Sequence, residues 1–98
     1  MGGNVFWKKI DSRRAVASDG SILEAKDRFY YHYCESGKVM RVDVERAPPP
    51  FRNAVYVDSM TRWLPPHDLE EISPEKHIEI KKRVGDALDA IGSLYRFV

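Results

Sequence analysis

The chain has 98 residues, a formal net charge of +1, one cysteine, 43% hydrophobic and 32% charged residues. This balance excludes a disordered chain, which combines low hydrophobicity with high net charge, and the length predicts a single domain, residues 1–98, with one modest core. One cysteine cannot form an intramolecular disulfide, and no apolar run reaches the ~20 residues of a membrane span. We therefore expect a cytoplasmic protein. Its sequence pI of about 7.9 argues against binding to nucleic acid or to a membrane.

The first quarter of the chain predicts a strand and a hairpin. Val5–Ile10 is apolar and aromatic apart from two lysines, and is a candidate strand. Short apolar runs over 14–18 and 21–25 flank Asp19-Gly20. Asp-Gly in this setting is typical of a two-residue hairpin turn, in which both turn residues take positive φ.

A second hairpin is predicted over residues 28–46, with Ser36-Gly37 as its turn. A two-residue turn fixes the register, because the residues that flank it must face each other. The apolar set then lies on one face and the polar set, with Arg28 opposite Glu45, on the other, and a slip of one residue would disrupt both. The predicted pairs are Tyr33–Met40, Tyr31–Val42 and Phe29–Val44 on the apolar face, and Arg28–Glu45, Tyr30–Asp43, His32–Arg41 and Cys34–Val39 on the other.

The middle of the chain is rich in proline. Because proline cannot donate to a central strand, Pro48-Pro49-Pro50 predicts a polyproline connector on the surface. Ala54–Asp58 predicts a further strand. Residues 59–64 do not favour one structure, and a single helical turn is one alternative there. Residues 65–68 are predicted to form a loop.

One helix is predicted in the last third, at about residues 74–91. Ser73 is a preferred N-cap residue, Pro74 suits the first helical position, and Gly92 suits the position after the last turn. One side carries an apolar stripe and much of the other is charged, as in a surface helix. The stripe is Ile80, Val84, Ala87, Leu88 and Ile91, and the charged set is Lys81, Lys82, Arg83, Asp86 and Asp89.

The order of elements predicts an α+β fold: an antiparallel β-sheet of about five to six strands, with the C-terminal helix packed on one face and a short last strand. That last strand is Leu94–Val98, which alternates in character. An exposed strand edge pairs readily with other chains, so both a monomer and a weak homodimer remain open.

Catalytic and metal sites find little support. His32 and Cys34 share a face of one strand, but structural zinc needs four ligands and nothing in the sequence orients the imidazole as a base. The acidic pairs Glu70-Glu71 and Asp86/Asp89 fit a solvated surface, and no phosphate-binding glycine loop is present. The sequence therefore predicts no catalytic residue, no metal ligand and no cofactor.

Two features are candidates for binding another protein. The polar face of the second hairpin presents tyrosine and arginine, which dominate the energetics of protein interfaces; the alternative is an ordinary open sheet face. Arg62 and Trp63 precede two prolines, where the tryptophan forms either a recognition ledge or a plug at one end of the core. The candidate contact residues are Tyr30, His32, Arg41, Asp43, Arg62 and Trp63.

The order of motifs resembles a known family. It runs from Tyr31-His32-Tyr33 and Glu35-Ser36-Gly37-Lys38 through alternating residues 40–45 and the strand 54–58 to Trp63-x-Pro65-Pro66, Ile72-Ser73-Pro74-Glu75 and Ala87-Leu88-x-x-Ile91-Gly92. Over roughly the last two-thirds of the chain, this order is similar to the immunity protein 74 family of bacterial polymorphic-toxin and contact-dependent-inhibition systems.

The resemblance implies a small, cytosolic, non-enzymatic protein that binds and neutralises a cognate toxin domain, without fixed catalytic residues. Two other classes remain as alternatives. One is a small hydrolase that uses Cys34 and His32. The other is a nucleic-acid-binding domain that uses Lys8, Lys9, Arg13 and Arg14.

Overall fold

In the computed structural model, which describes residues 5–98, a seven-stranded sheet packs one of its faces on a single long helix. The strands lie in the sheet in chain order. No helix of the described part of the chain is both long and apolar enough to cross a membrane. The elements are β1 Trp7–Asp11, β2 Arg14–Ala17, β3 Ile22–Ala25, β4 Tyr30–Glu35, β5 Lys38–Arg46, β6 Asn53–Val55, α1 Pro74–Ile91 and β7 Tyr95–Phe97, with a 3₁₀ turn over Val57–Ser59.

The predicted α+β class is confirmed, with one strand more than expected. The first six strands pair antiparallel, but β6 and β7 pair parallel. Parallel neighbours need a crossover connection, and α1 supplies it, because the chain leaves β6, passes through the helix and returns beside β6.

The predicted register of the β4–β5 hairpin is confirmed for its six inner pairs, from Tyr30 opposite Asp43 to Glu35 opposite Lys38. Both turn residues have positive φ, 51° at Ser36 and 78° at Gly37, and such a turn matches the twist of the strands.

The outermost two pairs of that prediction lie outside the ladder, because β4 begins at Tyr30. Arg28 lies over the Phe29 ring at 5.1 Å, while Glu45 accepts a hydrogen bond from the Tyr56 hydroxyl at 2.9 Å, so Arg28 does not pair with Glu45. The Phe29 backbone keeps the predicted register, because its carbonyl accepts the Val44 N–H at 2.8 Å, but its side chain is exposed and not part of the core. The inner face of β4 therefore begins at Tyr31.

The turn of the first hairpin also differs from the prediction. Ala17 donates to the Ser21 carbonyl at 2.8 Å, which closes a three-residue loop rather than a two-residue one. Within this loop only Gly20 has positive φ, at 92°. The Asp19 carboxylate accepts the Ser21 N–H at 3.0 Å, and this side-chain bond stabilises the longer turn.

Two predictions for the middle of the chain are corrected. Pro48–Phe51 forms a turn closed by the Phe51 N–H and the Pro48 carbonyl at 3.2 Å, not an extended polyproline segment. The strand predicted over Ala54–Asp58 ends at Val55, because the 3₁₀ turn follows. The Ser59 hydroxyl of that turn accepts the Asp43 N–H at 2.9 Å and so holds the turn against β5.

The helix begins and ends as predicted, and it closes the core. The Ser73 hydroxyl accepts the Lys76 N–H at 3.1 Å, and Gly92 adopts the left-handed conformation with φ of 87°. Strand residues that point to one side meet the apolar stripe of α1. The buried core consists of Ala15, Leu23, Tyr33, Met40, Val42, Val44, Val55, Met60, Trp63, Ile80, Val84, Ala87 and Leu88.

Candidate protein-binding face

Four of the six predicted contact residues form one polar cluster. Tyr30, His32, Arg41 and Asp43 lie on the outer face, which we define as the side of the sheet turned away from α1. The Arg41 guanidinium lies 4.1 Å from the centre of the Tyr30 ring, and Arg41 Nε donates to Asp43 Oδ1 at 2.7 Å. The Tyr30 and His32 rings are 5.5 Å apart. These contacts restrain the Arg41 side chain, which is still half exposed.

The charges in the polar cluster are defined by its surroundings. The hydrogen bond from Arg41 to Asp43 raises the pKa of Arg41, so its positive charge is permanent. Burial and then the nearby Lys26 ammonium lower the pKa of His32, and the Glu24 carboxylate opposes them only in part. His32 is therefore neutral at pH 7 and presents its ring as an aromatic surface.

An apolar row, which we call the outer stripe, runs beside the polar cluster, and of its members only the pair Cys34–Val39 was predicted on this face. Register aligns Val16, Ile22, Cys34 and Val39 across four neighbouring strands. Leu64 extends the row, because its N–H donates to the Val39 carbonyl at 2.7 Å. All five are partly exposed. Pairs were predicted only within hairpins; pairing β2–β3 with β4–β5 would have revealed the stripe.

Arg62 and Trp63 both lie beside the polar cluster but differ in exposure. A groove of about 480 Å³ is lined by Arg41, Asp43, Arg62 and Trp63 among others, and the Arg62 side chain is exposed. Trp63 is only 4% exposed and stacks on the Tyr33 ring, with 6.5 Å between ring centres. Trp63 is therefore a plug for the core, one of the two interpretations of its sequence context, and we leave it out of the proposed contact set.

The His32–Cys34 pair is poorly suited to catalysis. Burial, followed by the Glu24 carboxylate, raises the pKa of the Cys34 thiol, whereas a nucleophilic cysteine needs a lowered pKa. Within residues 5–98, no group of three or more His, Cys, Asp or Glu side chains is arranged to hold a metal ion.

The basic residues of the nucleic-acid alternative do not form one patch. Lys8 and Lys9 are consecutive in β1, so their side chains point to opposite sides of the sheet. Arg13 donates to the carbonyls of Ala25 and Lys26 at 3.2 and 3.3 Å, and Arg14 lies 3.9 Å from the Glu24 carboxylate. These contacts direct the arginines toward the protein itself.

A second polar cluster, which we call the helix–sheet network, lies between α1 and the ends of the strands. Its centre is Arg83, whose side chain is only 11% exposed. Arg83 donates to the hydroxyls of Tyr33 and Ser21, both at 2.7 Å, and to the Asp19 carboxylate at 2.8 Å. The helix pattern predicts Arg83 on the charged side, so its burial against the sheet corrects that prediction.

Glu35 completes the helix–sheet network. It accepts hydrogen bonds from Lys76 and from the Tyr33 hydroxyl, and it lies 3.5 Å from Arg83 Nε. Burial alone would raise the pKa of Glu35, but the bonds from Lys76 and Tyr33 outweigh it and lower the pKa. Burial and the Glu35 carboxylate raise the pKa of Tyr33. The members of the network bond to one another across the helix and the sheet, so its role is to attach the helix to the sheet.

Comparison with known proteins identifies the family. The model of immunity protein 74 matches residues 27–98, which contain the polar cluster, Arg62, the helix and β7. No curated protein and no solved structure matches the chain. Since the match covers most of the sequence and agrees with the order of motifs, this chain belongs to the immunity protein 74 family.

Proposed function

We propose that this protein neutralises a cognate toxin domain in the cytoplasm by binding it through the outer face. It acts as a stoichiometric partner and not as an enzyme. The observation that carries the proposal is the polar cluster, in which Arg41 is held between Tyr30 and Asp43 beside a partly exposed apolar row. The contact residues are Tyr30, His32, Arg41, Asp43 and Arg62, with the outer stripe beside them.

This arrangement has the composition of a protein interface. Interfaces combine an apolar centre with a polar rim, and tyrosine and arginine supply much of the binding energy. Ordering a free arginine side chain on binding costs about 0.5–1.5 kcal/mol. Because Arg41 already contacts the Tyr30 ring and Asp43, part of that cost is met in the unbound protein.

The neutral thiol supports binding rather than catalysis. A hydrolase built on Cys34 would need a thiolate, which the raised pKa of Cys34 disfavours. An immunity protein needs no reaction of its own, because covering the active site of the toxin is sufficient.

A protection assay with matched variants tests the proposal. The chain is co-expressed with the toxin domain encoded beside it, and cell survival and the Kd of the purified pair are measured. Arg41→Glu should weaken binding by about 30-fold or more, as expected for an interface hot spot worth ~2 kcal/mol. The control is Lys82→Glu, which also reverses a cation paired with an aspartate, Asp86, but lies on the helix and is 77% exposed.

The outcomes separate the parts of the proposal. Loss of protection by Arg41→Glu alone, with unfolding in urea unchanged, supports the outer face as the interface. If Arg41→Glu and Lys82→Glu protect cells equally, the outer face is excluded as the interface. Failure of the unaltered chain to protect cells or to bind the toxin domain would exclude neutralisation by binding.

A further inference from the structure

We propose that the free edge of β7 is a second docking site, which binds an extended segment of another protein as an additional strand. The segment carries an acidic side chain opposite Arg96. The site lies on β7, the last strand of the sheet, whereas the polar cluster lies on β4 and β5. The inference is thus independent of the proposed outer-face interface.

The hydrogen bonds of β7 show which backbone groups are free. The Leu94 carbonyl accepts from Arg52 and Asn53 at 2.7 and 3.0 Å, and the Val98 N–H donates to Val55 at 2.9 Å. Alternate residues of a parallel strand bond to the same neighbour, so the N–H and C=O of Arg96 also face β6. The N–H and C=O of Tyr95 and Phe97 therefore point away from the sheet, where residues 5–98 provide no further strand.

The surroundings of this edge favour a docked strand. Natural edges are blunted by charge, proline or a covering segment. On β7 the charge of Arg96 is such a device, but Leu94 and Val98, at either end of the strand, are apolar and 61% and 45% exposed. A groove of about 500 Å³ runs along β7 and is lined by Phe51, Leu94 and Phe97 among others. Such a groove gives side chains of an added strand a place to pack, and the free backbone groups supply its hydrogen bonds.

The positive charges near β7 favour an acidic segment as the docked strand. Arg96 is exposed at the centre of β7, Arg52 is exposed nearby, and Lys81 lies 5.1 Å from the centre of the Phe97 ring. Asp89 also lines the groove, but the strand itself presents only the arginine. A carboxylate opposite Arg96 forms a favourable cross-strand pair.

A second copy of the chain fits this edge less well. The free groups of Tyr95 and Phe97 must bond to equivalent groups of the copy. The longest antiparallel register that does so is centred on Arg96, and it places Arg96 directly opposite its own copy. Like charges directly opposite each other destabilise a strand pair. The edge therefore favours a different, acidic strand over self-pairing.

A tethered strand tests this site in the full chain. A Thr-Val-Glu-Val-Thr segment is joined to the C-terminus by a flexible Gly/Ser linker, which gives it a millimolar effective concentration. Matched chains carry Lys in place of Glu. Hydrogen exchange of the Tyr95 and Phe97 amides is measured by NMR, with the Arg96 amide as the internal reference. We expect the Glu strand to slow both amides about tenfold, and the Lys strand about threefold less.

In Arg96→Glu the order should reverse: the Lys strand should slow exchange of the Tyr95 and Phe97 amides more than the Glu strand does. Fast exchange of both amides beside the Glu strand would overturn the proposal. If the Glu strand and the Lys strand slow amide exchange equally, an acidic segment is excluded as the preferred occupant. Concentration-dependent protection in the chain without a tether, with a dimer in sedimentation, would assign the edge to a second copy instead. Because no toxin is used, these results do not depend on neutralisation.

Discussion

Replacing Arg83 with methionine should destabilise the protein more than any ordinary surface substitution. Methionine keeps the apolar stem of the side chain but removes the guanidinium at the centre of the helix–sheet network. Removal of one partner from a buried ion pair typically costs 3–5 kcal/mol, because the other charge is left without compensation. In Arg83→Met, Glu35 keeps its hydrogen bonds from Lys76 and Tyr33, so we expect a cost at the lower end of that range.

We therefore expect Arg83→Met to lower the free energy of unfolding by about 3 kcal/mol, out of the roughly 5–15 kcal/mol of a domain of this kind. For a chain of this length the melting temperature should fall by about 12–20 °C. Urea unfolding followed by circular dichroism measures the first quantity and a thermal scan measures the second.

The control is Lys82→Met, one residue earlier in the same helix. Lys82 is 77% exposed and its pair with Asp86 is worth only about 0.3–0.5 kcal/mol. A loss below about 1 kcal/mol in Arg83→Met, with an unchanged slope in urea, would show that the network does not stabilise the fold in the way described here.

Two further predictions concern the helix and its neighbours. In Gly85→Ala, the new Cβ would lie 2.9 Å from the Tyr95 hydroxyl, so the free energy of unfolding should fall by about 1 kcal/mol despite the better helix propensity of alanine. Adding Tyr95→Phe should remove that penalty; a penalty of the same size in both backgrounds would rule out the clash. The second concerns pH. Because the pKa of Glu35 in the folded protein is lowered from its ordinary 4.5, its stabilising effect is present above that value and is lost as the pH falls through the folded-state pKa. Glu35→Gln should therefore show a flatter loss of stability in urea below about pH 5 than the unaltered chain; parallel curves would contradict the assignment.

The sequence was most informative where local signals agreed. At the β4–β5 hairpin, the turn residues and the alternation of apolar side chains specify the same register, and it was confirmed. The helix predicted at about residues 74–91 is confirmed, because Ser73 and Gly92 mark its two ends and an apolar stripe lies between them.

Long-range relations were harder to predict. The parallel pairing of β7 depends on where α1 carries the chain, which no local pattern records. Arg83 looks like any charged helix residue in the sequence, and only the approach of the first hairpin turn buries it against Asp19 and Ser21. Trp63 was ambiguous for the same reason, because its stacking partner, Tyr33, lies thirty positions away in the chain.

Side chains alternate along the β4–β5 hairpin between the buried core and the outer face, so neighbouring residues serve stability and surface chemistry separately. Its even positions in β5, such as Met40 and Val42, are buried in the core, whereas Arg41 between them faces outward. Substitutions at outward sheet positions usually change stability by less than about 0.5 kcal/mol, while a single contact residue can change affinity by 2 kcal/mol or more. The outward positions of such a strand can therefore change while the fold that presents them stays the same.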